Sequence, residues 1–242
     1  ESTIAQEIGK EIGMDRMGCW QNPEFAKKYS ENQMCLAPTS VNRARALDTI
    51  KRAMDEEIEF PEKILAEGSG PSMLYSAYQD LEKIVGDNGF KMPLILDRDT
   101  SLEMLRHGKN PNRLVGSMTG ENTALVENSF DLVDNASLHL LSSEEEIKNS
   151  LIEANRLLRD GGTLYLSENG KKFGKGFFKG LKELGFEVIT KKNQGFSLTK
   201  KSSARIRKEK GESFANAYNS KLTDNYIILA KKIGEPEETE AS

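Results

Sequence analysis

The segment Ile64-Leu65-Ala66-Glu67-Gly68-Ser69-Gly70-Pro71-Ser72 constrains this chain more than any other. An apolar strand runs directly into a glycine-containing turn, and a helical pattern follows. Glycines at 68 and 70 let the backbone turn sharply and approach a ligand closely, and the following helix offers unpaired N–H groups. An ordinary tight strand-to-helix turn has the same look in isolation, so the rest of the chain decides between the two.

From residue 63 onward strands and helices alternate. Ile64–Ala66 reads as the first strand, and Leu74, Ala77, Tyr78, Leu81 and Val85 recur at helical spacing after it. Pro93–Leu96 is a second strand, followed by a short helix through Leu102, Met104 and Leu105 that stops near Gly108. Arg113–Val115 and Phe130–Val133 are the third and fourth strands. Ser143 and Glu146 have the spacing of a capping box, and Ile147, Leu151, Ala154 and Leu158 form one apolar helical face. Asp160-Gly161-Gly162 is expected to end that helix as a glycine C-cap. Thr163–Leu166, Phe186–Ile189 and Asn225–Ala230 complete the strands, with a helix through Phe177, Leu181 and Leu184 between the first two. Such alternation predicts a doubly wound α/β sheet covered on both faces, with a ligand at the carboxyl ends of its strands.

Composition excludes several classes. With 242 residues, 37% hydrophobic and 30% charged, the chain can bury a full core. No apolar run approaches the roughly 20 residues of a membrane helix, and no secretory leader is visible, so a cytoplasmic protein without a membrane span is expected. Cys19 and Cys35 lack a CxxC motif or a histidine cluster, which argues against a metal site or a disulfide framework. The net charge of −4 gives no general attraction to nucleic acid. Lys191–Lys210 is a local exception: Lys191, Lys192, Lys200, Lys201, Arg205, Arg207, Lys208 and Lys210 face only Glu209. A solvated loop or a contact with RNA or protein accounts for this stretch. The acidic, proline-broken end from Gly234 is expected to be a disordered tail.

The ordered series Ile64–Pro71, Asp99-Thr100-Ser101-Leu102-Glu103-Met104-Leu105, Asn128–Val133, Ser137-Leu138-His139 and Arg156–Leu164 resembles the class I S-adenosylmethionine-dependent methyltransferases, with a motif order similar to that of the ubiquinone-biosynthesis (type 11) enzymes. The similarity covers about residues 60 to 232. It implies a seven-stranded, mostly parallel Rossmann-like sheet with an antiparallel last strand, and S-adenosyl-L-methionine as cofactor, released as S-adenosyl-L-homocysteine. Residues 1–60 are then a helical lid and substrate-specificity extension, 61–233 the cofactor-binding domain, and 234–242 the tail. The resemblance assigns Glu67, Gly68, Ser69 and Gly70 to the methionine and ribose portion of the cofactor. Asp99, with neighbouring Thr100, takes the ribose hydroxyls, and Asp97 is the fallback. Ser117 and Met118 border the adenine, and Asp134 and Asn135 lie beneath the sulfonium. His139 and Tyr29 are the candidate catalytic groups, and no metal is implied.

The chain departs from the family pattern at three places. The acid usual two residues before the first glycine is replaced by Ala66, with Glu67 directly before Gly68. The third small residue of the turn is Ser72, and Gly116-Ser117-Met118-Thr119 stands where relatives carry an acid after the third strand. The third glycine of a dinucleotide fingerprint would fall at Met73, which disfavours a Rossmann dehydrogenase. Three functions follow: methyl transfer to a small molecule, methyl transfer to RNA or protein, and a catalytically degenerate scaffold, for instance within a ribonucleoprotein. In the N-terminal extension, Ile4, Ile8 and Ile12 form one stripe, and Phe25 and Tyr29 stand a helical turn apart, placing Tyr29 over the active site. Leu47, Ile50, Met54 and Ile58 are expected to pack a second helix against the sheet.

Overall fold

A computed structural model of the protein describes residues 21–36, 38–85, 90–119, 125–135, 143–169, 175–193 and 225–233, with 204, 207–208 and 212. Two helices come first, α1 (Pro23–Leu36) and α2 (Pro38–Met54). Asn22 starts α1 by accepting the Phe25 N–H at 2.9 Å on its side chain, and Pro23 fits the first helical position because it has no N–H to leave unpaired. The α/β domain follows as β1 (Lys63–Glu67), α3 (Met73–Val85), β2 (Leu94–Asp99), α4 (Leu102–Arg106), β3 (Arg113–Val115), β4 (Phe130–Asn135), α5 (Glu144–Leu157), β5 (Leu158–Asn169), α6 (Lys175–Glu183), β6 (Phe186–Asn193) and β7 (Asn225–Lys232).

The seven strands form one sheet in the order β3-β2-β1-β4-β5-β7-β6. β1 through β5 run parallel, while β7 is antiparallel to both β5 and β6. The chain order reverses between β1 and β4, so the crevice at their carboxyl tips is the switch point where this architecture accepts a ligand. One sheet face carries Ile64, Ala66, Ile95, Leu132 and Tyr165 and is covered by Ala46 of α2 and Leu74, Ala77, Tyr78 and Leu81 of α3. The other carries Leu65, Val133, Leu164 and Leu166 under Leu151, Ala154 and Leu157 of α5 and Leu181 of α6. Burying both faces of the central strands explains why they read as continuous apolar runs.

The capping box forms as its spacing predicts: the Ser143 side chain accepts the Glu146 N–H, and the Glu146 carboxylate accepts the Ser143 N–H, both at 3.1 Å. The end of that helix is a correction. α5 stops at Leu157, Leu158 is already extended, and Asp160-Gly161-Gly162 lies inside β5. Gly161 does take a positive φ of 74°, but it serves a register shift against β4 between Phe130 and Leu132.

The second correction concerns α2. Leu47 and Met54 are exposed, at 47% and 79%, and Ile58 lies beyond the helix end. The buried side of α2 is Arg45, Ala46, Thr49 and Arg52. A polar stripe packs inward here because the sheet beneath it is polar. Arg45 pairs with Asp134 and lies over the Tyr165 ring, and Arg52 bonds Asp48 at 2.9 Å, whose carboxylate also accepts from the Tyr165 hydroxyl at 3.4 Å. The stripe at Ile4, Ile8 and Ile12 and the acidic tail lie outside the described residues.

Candidate active site

The glycine elbow follows β1 directly. Gly68 and Gly70 have φ of 57° and 53°, the left-handed region that costs a side-chain-bearing residue about 1–2 kcal/mol. Ser72 adopts φ 58° as well, so it makes the backbone turn that glycine makes in relatives. The Ser72 carbonyl then accepts the Ser76 N–H at 3.1 Å within the first turn of α3.

Asp99 ends β2 beside this elbow. Its Oδ2 accepts the Gly70 N–H at 2.9 Å and its Oδ1 the Ser101 N–H at 2.8 Å. Burial raises the carboxyl above its ordinary value, against the lowering pull of the Ser101, Gly70 and Thr100 amides. Thr100 is exposed, and its carbonyl accepts from the Gln21 side chain at 2.9 Å. That bond, with the packing of α1 on α4, brings the N-terminal extension to the β2 tip. Tyr29 of α1 is half-buried and stacked on Phe25 with ring centroids 5.8 Å apart.

Past β3, Gly116 donates to the Asp99 carbonyl at 3.0 Å, bringing the next turn to the same tip. In that turn the Ser117 and Thr119 hydroxyls lie 2.6 Å apart, and Met118 is buried. Asp134 and Asn135 close β4, where Asp134 pairs with Arg45 and Asn135 donates to Ser150 Oγ at 3.0 Å. His139 lies outside the described residues, as does most of the basic stretch Lys191–Lys210; within that stretch Arg207 pairs with Glu212 at 3.0 Å.

Two assigned carboxylates are placed differently from the ribose carboxylate. The Glu67 side chain is 2% exposed and engaged by Arg98, whose Nε donates to Glu67 Oε2 at 2.8 Å and whose Nη2 donates to Oε1. The elbow therefore receives the backbone of Glu67, while its carboxylate is held on Arg98. Asp97 is fully buried, where burial pushes its carboxyl up to about 6 against the opposing Ser72 and Asn110 side chains. Arg98, Arg45 and Glu153 went unassigned in the sequence. The available signal was a cation, Arg98, inside a buried strand between two aspartates, since a charge in such a strand requires a partner.

The residues at the tip fit an adenosine-bearing cofactor. The Ser69 hydroxyl is buried in the elbow without a hydrogen-bond partner among the described residues, and buried polar atoms are rarely left so. Each Asp99 oxygen keeps a second lone pair, which is what two vicinal hydroxyls require. A Cβ at Gly70 would stand 3.4 Å from Met104 Cε, so glycine also keeps that approach open.

Strand order, the antiparallel β7 and a glycine elbow facing a strand-end aspartate give this chain the fold of the class I S-adenosylmethionine-dependent methyltransferases. No protein-family model and no curated protein matches the chain. Solved structures do match its fold. A TehB-like methyltransferase from Corynebacterium glutamicum matches with a TM-score of 0.53 at 16% identity, over 87% of this chain and 100% of that one. A methyltransferase from Clostridium acetobutylicum matches with a TM-score of 0.52 at 14% identity, over 76% and 89%. A chain in the complex of the Haloferax volcanii Trm112 methyltransferase activator matches with a TM-score of 0.50 at 12% identity, over 81% and 95%.

Proposed function

We propose that the protein transfers a methyl group from S-adenosyl-L-methionine to a nucleophilic atom of a small-molecule acceptor. The observation that carries the reading is Asp99, a strand-end carboxylate joined to the glycine elbow through the Gly70 N–H at 2.9 Å. When bound, the cofactor supplies a methyl carbon made electrophilic by a positively charged sulfur. The chain supplies binding and orientation. Asp99 takes the ribose hydroxyls, Gly68–Gly70 bring backbone close to the methionine and ribose portion, Ser117 and Met118 border the adenine, and Asp134 and Asn135 flank the β4 tip. Holding acceptor and methyl collinear in a dry cleft can account for about 7–11 kcal/mol of a barrier in favourable systems. Tyr29 and His139 are the groups proposed to receive a proton where the acceptor must lose one.

A small acceptor is favoured by the N-terminal extension, because the Gln21–Thr100 bond places α1 at the cofactor end of the sheet, as a lid requires. The second reading is a macromolecular acceptor, approached through Lys191–Lys210 or with a protein partner. It draws on the neighbour that occurs in a complex with a methyltransferase activator. RNA retention that falls with salt would select it.

Calorimetry with S-adenosylhomocysteine tests the cofactor reading. Saturable heat below millimolar ligand is expected, lost in Asp99→Ala and in Gly68→Val, which puts a β-branched residue at a positive φ. Absence of heat from the unaltered protein at millimolar ligand leaves only the degenerate scaffold. No helix among the described residues is long and apolar enough to cross a membrane.

A further inference from the structure

Glu67, Arg98 and Glu153 form a buried ionic triad behind the site, with side chains 1–5% exposed. Glu67 and Arg98 are register partners on β1 and β2, and Glu153 approaches from α5, with its Oε1 3.5 Å from Arg98 Nη1. Glu153 is itself held by Arg156 at 2.8 Å. Replacing such a triad by apolar residues often leaves stability unchanged, so stability alone is a poor account of it.

Its placement gives a better one. Each residue that Arg98 touches is covalently next to a part of the cofactor site. Glu67 precedes Gly68 of the elbow. Arg98 precedes Asp99, and its own carbonyl accepts the Ser69 N–H at 3.2 Å. The Arg98 stem lies against Gly116, where an added Cβ would be 3.5 Å from Arg98 Cδ, and Gly116 precedes Ser117 and Met118. We propose that Arg98 is a positioning residue for cofactor binding, holding the elbow, the ribose carboxylate and the adenine-side turn in mutual register from the opposite face of the sheet. The inference rests on the cofactor reading above.

It also explains the shifted acid. Ala66 pairs in register with Asp97 on one side and Asp134 on the other. A carboxylate at 66 would make three in a row on a buried face, a costly like-charge arrangement. Moved one residue on, the acid changes sheet face and meets Arg98 in a bidentate pair, a geometry a lysine point charge does not reproduce.

The test measures S-adenosylhomocysteine affinity by calorimetry on full-length variants, each with its thermal midpoint taken without ligand. The Glu67→Met/Arg98→Met double variant leaves no charge of this pair unmatched on β1 and β2. It is expected to bind at least tenfold more weakly while its midpoint stays near that of the unaltered protein. Arg98→Lys keeps the charge but not the fork, and is expected to lose several-fold. Glu153→Gln touches the triad on the α5 side alone, and should lower the midpoint with affinity held within threefold. Affinity within threefold of the unaltered protein in Arg98→Lys, or in a folded double variant, overturns the proposal and leaves the cofactor reading standing. Affinity that simply follows the midpoint across the set also overturns it. Absence of binding by the unaltered protein removes both.

Discussion

At the scale of single residues, the two aspartates of β2 differ in what they hold. Asp99 is satisfied by amides, whereas Asp97 is enclosed between the sheet and α3 with its carboxyl raised from 3.8 to about 6, burial being the main cause. A raised folded value means that the native state prefers the protonated form. The preference is fully present below the unfolded value and is lost as pH rises through about 6. Asp97→Asn is therefore expected to gain stability on the order of 2–3 kcal/mol at pH 7 and nothing near pH 4, measured by urea unfolding at both. A gain of the same size at both values contradicts a protonation origin. Ser72 offers a second local test, because its φ of 58° is one that glycine adopts freely. Ser72→Gly should raise the unfolding free energy by up to about 1 kcal/mol, the left-handed strain outweighing the added chain entropy. A loss of more than that would mean that the Ser72 hydroxyl stabilises more than its backbone costs.

Elements show where the sequence was legible. The alternation of strands and helices, the capping box at Ser143 and the antiparallel end of the sheet were all readable, because each is written locally in periodicity or spacing. The buried face of α2 was not. An apolar stripe at Leu47 and Met54 suggested the wrong side, since helix periodicity cannot show that the opposing sheet carries Asp134 and the Tyr165 hydroxyl. Long-range ion pairs override a hydrophobic pattern when both partners are buried. The candidate site divides the same way. Asp99 and the glycines were evident from their order along the chain, while the Arg98 partnership joins residues 31 apart and appears only through the β1–β2 register. For α2 the consequence is measurable. Arg45→Ala leaves Asp134 buried without its cation and is expected to cost about 3–5 kcal/mol. Arg45→Met with Asp134→Leu should recover most of that loss in the same denaturation experiment, and failure to recover would show that the pair adds specific stability beyond charge balance.

Across the whole molecule, the motifs that make the resemblance most specific lie at the end of the sheet away from the ligand. Asp131, from Phe130-Asp131-Leu132-Val133, accepts the Glu62 and Lys63 amides at 2.9 and 2.7 Å, where β1 begins. Its other oxygen accepts from Arg159 at 2.5 Å, and Arg159 also pairs with Glu59. One carboxylate thus fastens β4 to the start of β1 and to the start of β5, fixing the register that aligns the tips of β1 and β4 some five residues later. Burial would raise the Asp131 carboxyl, but Arg159 and the two amides outweigh it and hold it below the usual carboxylate range. A lowered value stabilises the fold above the ordinary carboxylate pKa of about 3.9, and that contribution is lost as pH falls through the folded value. Asp131→Asn keeps the shape and removes the charge, so it should cost about 1–3 kcal/mol at pH 7. Because the staple and the elbow occupy opposite ends of β1, the same variant should bind S-adenosylhomocysteine within about threefold of the unaltered protein, a difference below about 0.7 kcal/mol. A large loss of affinity at preserved stability would mean that strand register reaches the ligand through β1 itself, and that the two ends of the sheet are not energetically separate.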